Sequence, residues 1–426
     1  MLLKQRLRRL RIPVLALVAG ALVLLFWLQT EPESSGQSAA QLETTKREAG
    51  PPRGFPPAFG DSRPDLAMRR DHVELCGVGR VPIQPDGEVY PQHVVKAAQA
   101  AFDRFAAAMA TGDHSLQRAV GLYAQRGSAA MAAAADHRSR HPGCDSDERC
   151  MGQSLAVAGK AAASLSEQLA RQAMASQDPR VYALAYYACQ KAAGNEQAGG
   201  ACAQITPARW AQLEPDNAVP WLALAAATGG GDERREALTR ASKAAASRLH
   251  WDVIIELNEH PGVRALDPAT RLVFYTYVLG TWAAFPMPSL LVVTQSCGPG
   301  MQPDQARRQL CSDLAEMLTE RSATLLELSI GTSIGERAGW SAERVSALRD
   351  RKDAISQIGS EIWEGQDVSS CQFLEKLEAR ATELTRGGEL KAAERQIRES
   401  GRTVKELAVQ WREAQHSRSQ AARDLK

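Results

Sequence analysis

Residues 213–245 read LEPDNAVPWLALAAATGGGDERREALTRASKAA, and this stretch decides the fold class of the chain. Ala and Leu fill its first half, and a Gly-rich loop at 229–231 separates that half from a charged second half. Ala is the strongest helix former, and its small side chain lets neighbouring helices approach closely. The stretch therefore predicts two helices joined by a short loop.

The same stretch carries a spaced motif. It consists of Trp221, Leu224 and Ala225, followed by Ala237, Ala241 and Ala244. The segment resembles a tetratricopeptide repeat, whose motif places an aromatic residue, a Leu and small residues at this spacing in two antiparallel helices. The preceding 215–217 (PDN) is also typical of the junction between such repeats. The loop at 229–231 and Leu249, which stands where the family has a closing Pro, depart from the pattern. The resemblance covers residues 215–249.

A weaker copy of the motif lies forty residues upstream, where 181–185 (VYALA) matches 221–225 (WLALA). Residues 271–280 have the composition to open a third helix pair. The resemblance thus implies a short array over 178–285 whose concave surface binds a peptide or protein segment. An irregular helical bundle is the alternative, and the repeat spacing itself predicts most of the aromatic residues to be core. The candidate binding anchors are Tyr182, Tyr186, Trp221 and Trp251.

The rest of the chain beyond residue 66 also predicts helices, so the fold class is all-α. Residues 91–109 place their apolar side chains on one helical face. Asp178 and Asp267 each precede a Pro, which is the arrangement of a capping residue before the first helical position. The predicted organisation is an N-terminal helical region (67–177), the repeats (178–285), a C-terminal helical region (286–370) and a charged region (371–426). In the charged region, Gly387-Gly388 separates two helices, and the residues beyond 412 form a solvated tail.

The N-terminus predicts a membrane anchor. Residues 1–11 carry five basic side chains and no acid, and 12–28 form an apolar run without charge. Seventeen residues lie at the short end of what spans a bilayer as a helix. The positive-inside rule keeps residues 1–11 in the cytoplasm and exports everything after Leu28. A cleaved signal peptide is the alternative, but bulky residues end the run and no small-residue cleavage site follows it directly.

Composition defines the segments on either side of this anchor. Residues 29–66 are rich in Pro, Gly, Ser and Gln, which predicts a flexible stalk. The formal net charge is +2, and the five basic residues before position 12 leave 2 − 5 = −3 for the remainder. A near-neutral exported region lacks the large positive charge with which proteins bind nucleic acid, so nucleic acid is not an expected partner.

Eight cysteines follow the anchor, and an even number in an oxidising compartment favours disulfides. Their spacing suggests three local pairs and leaves the first and last cysteines to each other. The expected pairs are Cys144 with Cys150, Cys189 with Cys202, Cys297 with Cys311, and Cys76 with Cys371.

Two motifs suggest chemistry. Residues 331–335 (GTSIG) match G-x-S-x-G, in which Ser333 would be a nucleophile on a strand-to-helix turn, although no strand-helix alternation surrounds them. The competing interpretation is a helix break at Gly331 and Gly335. His137 and His141, four apart and followed by Cys144 and Cys150, are candidate zinc ligands. An oxidised cysteine pair would leave no thiolates for the metal, so no cofactor is predicted.

These features predict a protein of the bacterial inner membrane with a periplasmic main domain, since the Ala- and Arg-rich composition is typical of a bacterial source. We expect it to act as an interaction adaptor or envelope assembly factor without catalysis, with an envelope protein or peptide segment as partner. The alternative function is an envelope hydrolase of peptidoglycan or an ester, with Ser333 or a Glu as catalyst.

Overall fold

The computed structural model describes residues 72–83, 89–141, 143–144, 147–190, 200–283, 285, 290–298, 304–361 and 367–424. The predicted cytoplasmic tail, anchor and stalk lie outside these residues. Within the described part of the chain, every helix is too short or too polar to cross a membrane.

The described residues are mostly helical, which agrees with the predicted all-α class. The helices are α1 (Gln92–Ala110), α2 (Ser115–Arg140), α3 (Glu148–Ala175), α4 (Pro179–Cys189), α5 (Pro207–Leu213), α6 (Ala218–Ala227), α7 (Gly231–Lys243), α8 (Pro261–Arg264), α9 (Pro268–Ala283), α10 (Leu291–Ser296), α11 (Gln305–Glu320), α12 (Leu325–Arg337), α13 (Ala342–Glu361), α14 (Cys371–Glu399) and α15 (Val404–Asp424). Two 3-10 helices, Cys202–Gln204 and Trp251–Glu259, complete the set. The C-terminal part beyond 412, for which a solvated tail is predicted, is helical as far as Asp424 and mostly exposed.

One element departs from the predicted helices of 67–177. An antiparallel hairpin joins β1 (His72–Leu75) to β2 (Gly79–Pro82). Its turn contains Gly77 at φ +77°, and a Cβ there would lie 2.8 Å from Pro268 Cδ. Glycine is therefore required both by the backbone conformation and by the close approach to α9.

The largest hydrophobic core gathers α1 to α4, the 3-10 segment Trp251–Glu259, α9 and the first half of α14. Aromatic rings fill its centre: Phe102 lies 6.0 Å from Phe274, and Tyr123 stacks on Phe285 at 4.4 Å. The two helices of the quoted stretch, α6 and α7, belong to a second core with α10, α11 and α12. A third core joins α12 and α13 to the second half of α14 and to α15. The predicted segment 178–285 thus contributes to two cores.

Both predicted Asp caps are present. Asp178 Oδ1 accepts a hydrogen bond from Arg180 N at 2.9 Å, and Asp267 Oδ1 accepts one from Thr270 N at 3.0 Å. Gly388 takes a left-handed φ of +75° and kinks α14, at the position where the sequence predicts a division into two helices. Gly331 and Gly335, by contrast, lie inside the continuous helix α12, so the predicted helix break is wrong.

The reason for those two glycines is close packing. A Cβ at Gly331 would lie 2.8 Å from Leu318 Cβ on α11, and a Cβ at Gly335 would lie 2.3 Å from the ring of Trp340. Neither distance accommodates a methyl group.

The eight cysteines form four disulfides, and the pairing is the one that their spacing suggests. The first ties the hairpin to the start of α14, and the others close loops at the ends of helices. The pairs are Cys76–Cys371, Cys144–Cys150, Cys189–Cys202 and Cys297–Cys311.

Candidate functional site

A cleft of about 390 Å³ lies between the end of α1, the start of α2 and the 3-10 segment Trp251–Glu259. Its volume lies near the lower end of the range for small-molecule sites, about 300–1,000 Å³. It combines apolar groups with two carboxylates and one imidazole. The residues that line it are Ala108, Met109, Gly112, Gln117, Glu256, Glu259, His260 and Pro261.

The turn between α1 and α2 forms one wall of the cleft. Arg118 Nη1 donates to the carbonyl oxygens of Gly112 at 2.9 Å and Asp113 at 2.7 Å. Thr111 Oγ1 donates to the carbonyl of Ala108 at 3.1 Å and so caps the last turn of α1. These bonds hold the backbone of this wall in one position.

The opposite wall is the 3-10 segment, which carries both carboxylates. A 3-10 helix has three residues per turn, so side chains three positions apart share a face. Glu256 and Glu259 have this spacing, and both line the cleft. The other two faces of the segment are anchored in the largest core by the buried side chains of Ile254, Ile255 and Leu257.

His260 forms the end of this wall. Its ring stacks on Phe105 with centroids 4.4 Å apart, and its Nδ1 accepts a hydrogen bond from Gly262 N at 3.1 Å. The neutral ring therefore carries its proton on Nε2. Burial and the positive charge of Arg104 lower the pKa of His260, which favours the neutral form. A Cβ at Gly262 would lie 2.6 Å from the Phe105 ring, so this approach requires glycine.

The cleft has an excess of negative charge. Burial is the largest cause that raises the pKa of Glu256, and the neighbouring charge of Glu259 raises it further. Arg180 lowers that pKa, but its guanidinium is already bound to Asp178 by two hydrogen bonds of 3.1 and 2.8 Å. Among the residues that the structure describes, no cationic group lies within 4.0 Å of either Glu256 or Glu259. Both carboxylates are therefore free of an ion pair with the described residues and available to a cationic ligand.

A buried polar network holds the start of the 3-10 segment. Glu214 Oε2 contacts His250 Nε2 at 2.8 Å and accepts from Asn217 Nδ2 at 2.9 Å. Burial raises the pKa of Glu214, but the hydrogen bond and charge of His250 and the bond from Asn217 outweigh it, and the net shift is downward. His250 has a left-handed φ of 58° and directly precedes the segment. The network therefore fixes the backbone from which the carboxylates project.

The four predicted aromatic anchors pack against two different hydrophobic cores. Tyr182 is buried in the largest core, where its hydroxyl accepts from Thr206 N at 3.0 Å. Tyr186 and Trp251 pack against the same core, while Trp221 packs against the second. Trp221 Nε1 donates to Pro215 O at 2.8 Å. These contacts are structural ones, as the repeat spacing predicts for most of the set.

Ser333 lies in the interior of α12 and is half-buried. A nucleophile elbow needs a sharp turn between a strand and a helix. The helical backbone on both sides of Ser333 does not provide that turn, so the motif does not form an elbow.

The predicted pair His137 and His141 lies at the end of α2 with ring centroids 4.5 Å apart. His137 Nε2 lies 3.8 Å from Cys150 Sγ, and that cysteine is bonded to Cys144. The fold thus brings the two histidines and the two cysteines together, and the two cysteine sulfur atoms form a disulfide.

Sequence reasoning missed the cleft. Its residues come from 108–117 and 256–261, and only the tertiary fold joins them. The available signal was the run 256–261 (ELNEHP), in which two acids three apart precede a His-Pro helix boundary. No family model, curated protein or solved structure matches this chain.

Proposed function

We propose that this chain is a membrane-anchored envelope protein that binds a segment of a partner protein through a cationic side chain held in the cleft. The observation that carries the proposal is the pair Glu256 and Glu259, which line the cleft without a cation from the described residues within 4.0 Å. A Lys or Arg of a partner would supply that cation.

The apolar lining fits the same ligand. Long cationic side chains bury their aliphatic stems along apolar surface while the charged head reaches a polar partner. Met109 and Pro261 offer such a surface beside the carboxylates. The planar guanidinium of Arg matches a carboxylate in a bidentate arrangement, so we expect Arg over Lys.

The proposed location rests on the sequence and the disulfides. The basic residues of 1–11 before an apolar run favour export of the domain, and four disulfides suit an oxidising compartment. The predicted periplasmic location and the tetratricopeptide-like array over 178–285 remain parts of this proposal.

The test is site-specific photo-crosslinking in intact cells. A photoreactive amino acid replaces Gln117, an exposed residue of the cleft, and in a control strain it replaces Gln309, an exposed residue of α11. We expect a discrete protein adduct from position 117 and none from 309. The crosslinked segment of the partner, identified by mass spectrometry, should contain an Arg or Lys.

Variants that remove the carboxylate charges test whether the cleft is required for the adduct at position 117. The double variant Glu256→Gln/Glu259→Gln should abolish the adduct at position 117. The matched control is Glu233→Gln/Glu236→Gln on α7, an exposed pair with the same spacing, which should leave it unchanged. An adduct that survives the loss of both cleft carboxylates would refute the proposed role of the cleft.

One observation favours a second candidate function. Glycan hydrolases use two carboxyl groups, one of them a general acid with a raised pKa. Burial raises the pKa of Glu256, and Glu259 lies on the same wall. If the chain cleaves peptidoglycan, Glu256→Gln should lower the release of soluble fragments by about 10²–10⁴-fold. Purified peptidoglycan left intact by the wild-type chain would eliminate this candidate.

A further inference from the structure

The loop between α2 and α3 brings together four side chains that are typical metal ligands. His137 lies one turn before the end of α2, and His141 directly follows that helix. Cys144 lies in the loop, and Cys150 lies in the first turn of α3. The ligand atoms of His137, Cys144 and Cys150 all lie within 4.8 Å of one another.

The separations suit a tetrahedral ion. Zinc binds sulfur at about 2.3 Å and imidazole nitrogen at about 2.0–2.1 Å, so two ligand atoms in tetrahedral geometry lie about 3.3–3.8 Å apart. His137 Nε2 and Cys150 Sγ are already separated by 3.8 Å. The sulfur of Cys144 is bonded to that of Cys150 and has to separate from it before both can bind one ion.

We propose that reduction of the Cys144–Cys150 disulfide converts this loop into a zinc-binding site, with His137, Cys144 and Cys150 as ligands. His141 is a candidate for the fourth position, since its ring centroid lies 4.5 Å from that of His137. The disulfide and the metal exclude each other, because bonded sulfur atoms are not thiolates. The site is therefore controlled by the redox state of the loop.

The chemistry balances with a dithiol as the reductant. A dithiol transfers two electrons and two protons to the disulfide, giving two cysteine thiols and its own disulfide. Zn²⁺ then displaces the two thiol protons and binds the two thiolates and the imidazole of His137. Metal binding releases protons in this way wherever cysteine ligands are used.

The N-terminus of α3 favours a thiolate at Cys150, whereas the negative charge of the cap residue Asp147 opposes it. Cys150 is in the first turn of α3, whose N-cap Asp147 accepts hydrogen bonds from the backbone N–H groups of Arg149 at 3.0 Å and of Cys150 at 3.5 Å. A negative charge is stabilised near the N-terminus of a helix by the partial positive charge there. Cys144 is buried, which shields a bound ion from water on that side.

The test uses the full chain in detergent micelles, before and after reduction by a phosphine that is then removed without air. Zn²⁺ is added, the cysteines are alkylated, and the modified residues are identified by mass spectrometry. We expect Zn²⁺ to protect Cys144 and Cys150 from alkylation, while the other six cysteines serve as internal controls in the same molecule. Equal alkylation of all eight in the presence and absence of Zn²⁺ would overturn the proposal.

Two variants assign the ligands. Reduced wild-type chain should retain one more Zn²⁺ than reduced Cys144→Ser/Cys150→Ser, and the oxidised wild type should resemble that variant. His137→Ala should weaken Zn²⁺ binding by at least about 10–100-fold, because that is the usual effect of losing a residue that only supports a metal ligand. His114→Ala, at the other end of α2, should have no effect. Zn²⁺ bound equally by the oxidised chain, or unaffected by His137→Ala, would refute the site.

Discussion

Replacing Asn217 by Ala is expected to destabilise the fold by more than the loss of one hydrogen bond, because its side chain makes several. Asn217 is fully buried and forms the N-cap of α6, where its Oδ1 accepts from Val219 N at 3.2 Å. The same oxygen accepts from Arg248 N at 2.8 Å, and its Nδ2 donates to Arg248 O at 2.8 Å and to Glu214 Oε2 at 2.9 Å. One side chain thus joins α6 to the segment that precedes the cleft.

The magnitude follows from the groups that lose their partner. An Asn cap is worth about 1 kcal/mol over Ala. A buried donor or acceptor left unsatisfied costs about 1–3 kcal/mol, and the change leaves the backbone groups of Arg248 and one carboxylate oxygen of Glu214 short of a bond. Since such terms are not additive, we expect the free energy of unfolding to fall by about 3–5 kcal/mol.

Urea-induced unfolding followed by far-ultraviolet circular dichroism measures that loss. Asp216→Ala is the matched control, because Asp216 is exposed and adjacent, and it should shift the free energy by less than about 0.5 kcal/mol. Hydrogen exchange localises the effect, which should appear first in the amides of 217–219 and 246–250. A loss under about 1 kcal/mol would refute the idea that Asn217 supports both segments.

Three further predictions concern packing, pH and cross-linking. Gly335→Ala should lower the free energy of unfolding, since overpacking against Trp340 costs about 1–3 kcal/mol. The control is Gly359→Ala on α13, where a Cβ meets nothing within 4 Å; it should be neutral or stabilising by up to about 1 kcal/mol. If thermal melts showed the opposite order of stability, the close contact at Gly335 would be contradicted. Burial raises the pKa of Glu327 above 4.5 despite its hydrogen bonds to Ser247 and Thr324, so its contribution to stability is fully present below pH 4.5 and is lost as the pH rises through the folded pKa. Urea titrations across that range should therefore show a decline in wild type that Glu327→Gln removes, and parallel curves would count against this assignment. Cys76→Ser/Cys371→Ser removes a disulfide between residues 295 positions apart, and Cys144→Ser/Cys150→Ser removes one between residues 6 positions apart. From loop entropy alone, the free energy of unfolding should fall by about 3 kcal/mol more in the first variant than in the second. Equal losses in the two variants would contradict an entropic origin of the stabilisation.

The features that the sequence predicted are those fixed by neighbouring residues. A cap such as Asp178 needs only its own side chain and the amide two residues later, and the kink at Gly388 needs only a residue that tolerates positive φ. The close cysteine pairs also follow from separations of 6 to 14 residues. Pairing Cys76 with Cys371 required elimination, which worked because six cysteines were already assigned to short loops.

The features that the sequence did not predict depend on distant residues. Strands β1 and β2 have four residues each, too few for an alternation pattern to be distinguished from a loop. Glycine weakens helices, so the sequence favours a helix break at Gly331 and Gly335, but tertiary packing on Leu318 and Trp340 overrides that propensity.

The cleft illustrates why a site of this kind is not visible in the sequence. Its carboxylates project from a 3-10 segment whose start is fixed by Glu214 and His250, which are 36 residues apart in the chain and in direct contact in the fold. Asn217 holds the same network, so its loss should loosen the cleft wall without touching a charge that faces the ligand. Glu256→Gln/Glu259→Gln does the reverse, because it removes charge and leaves the buried network intact. A partner that requires the cleft should therefore be lost in both variants, but with unchanged unfolding behaviour only in the second. That difference separates recognition by the carboxylates from the support that positions them.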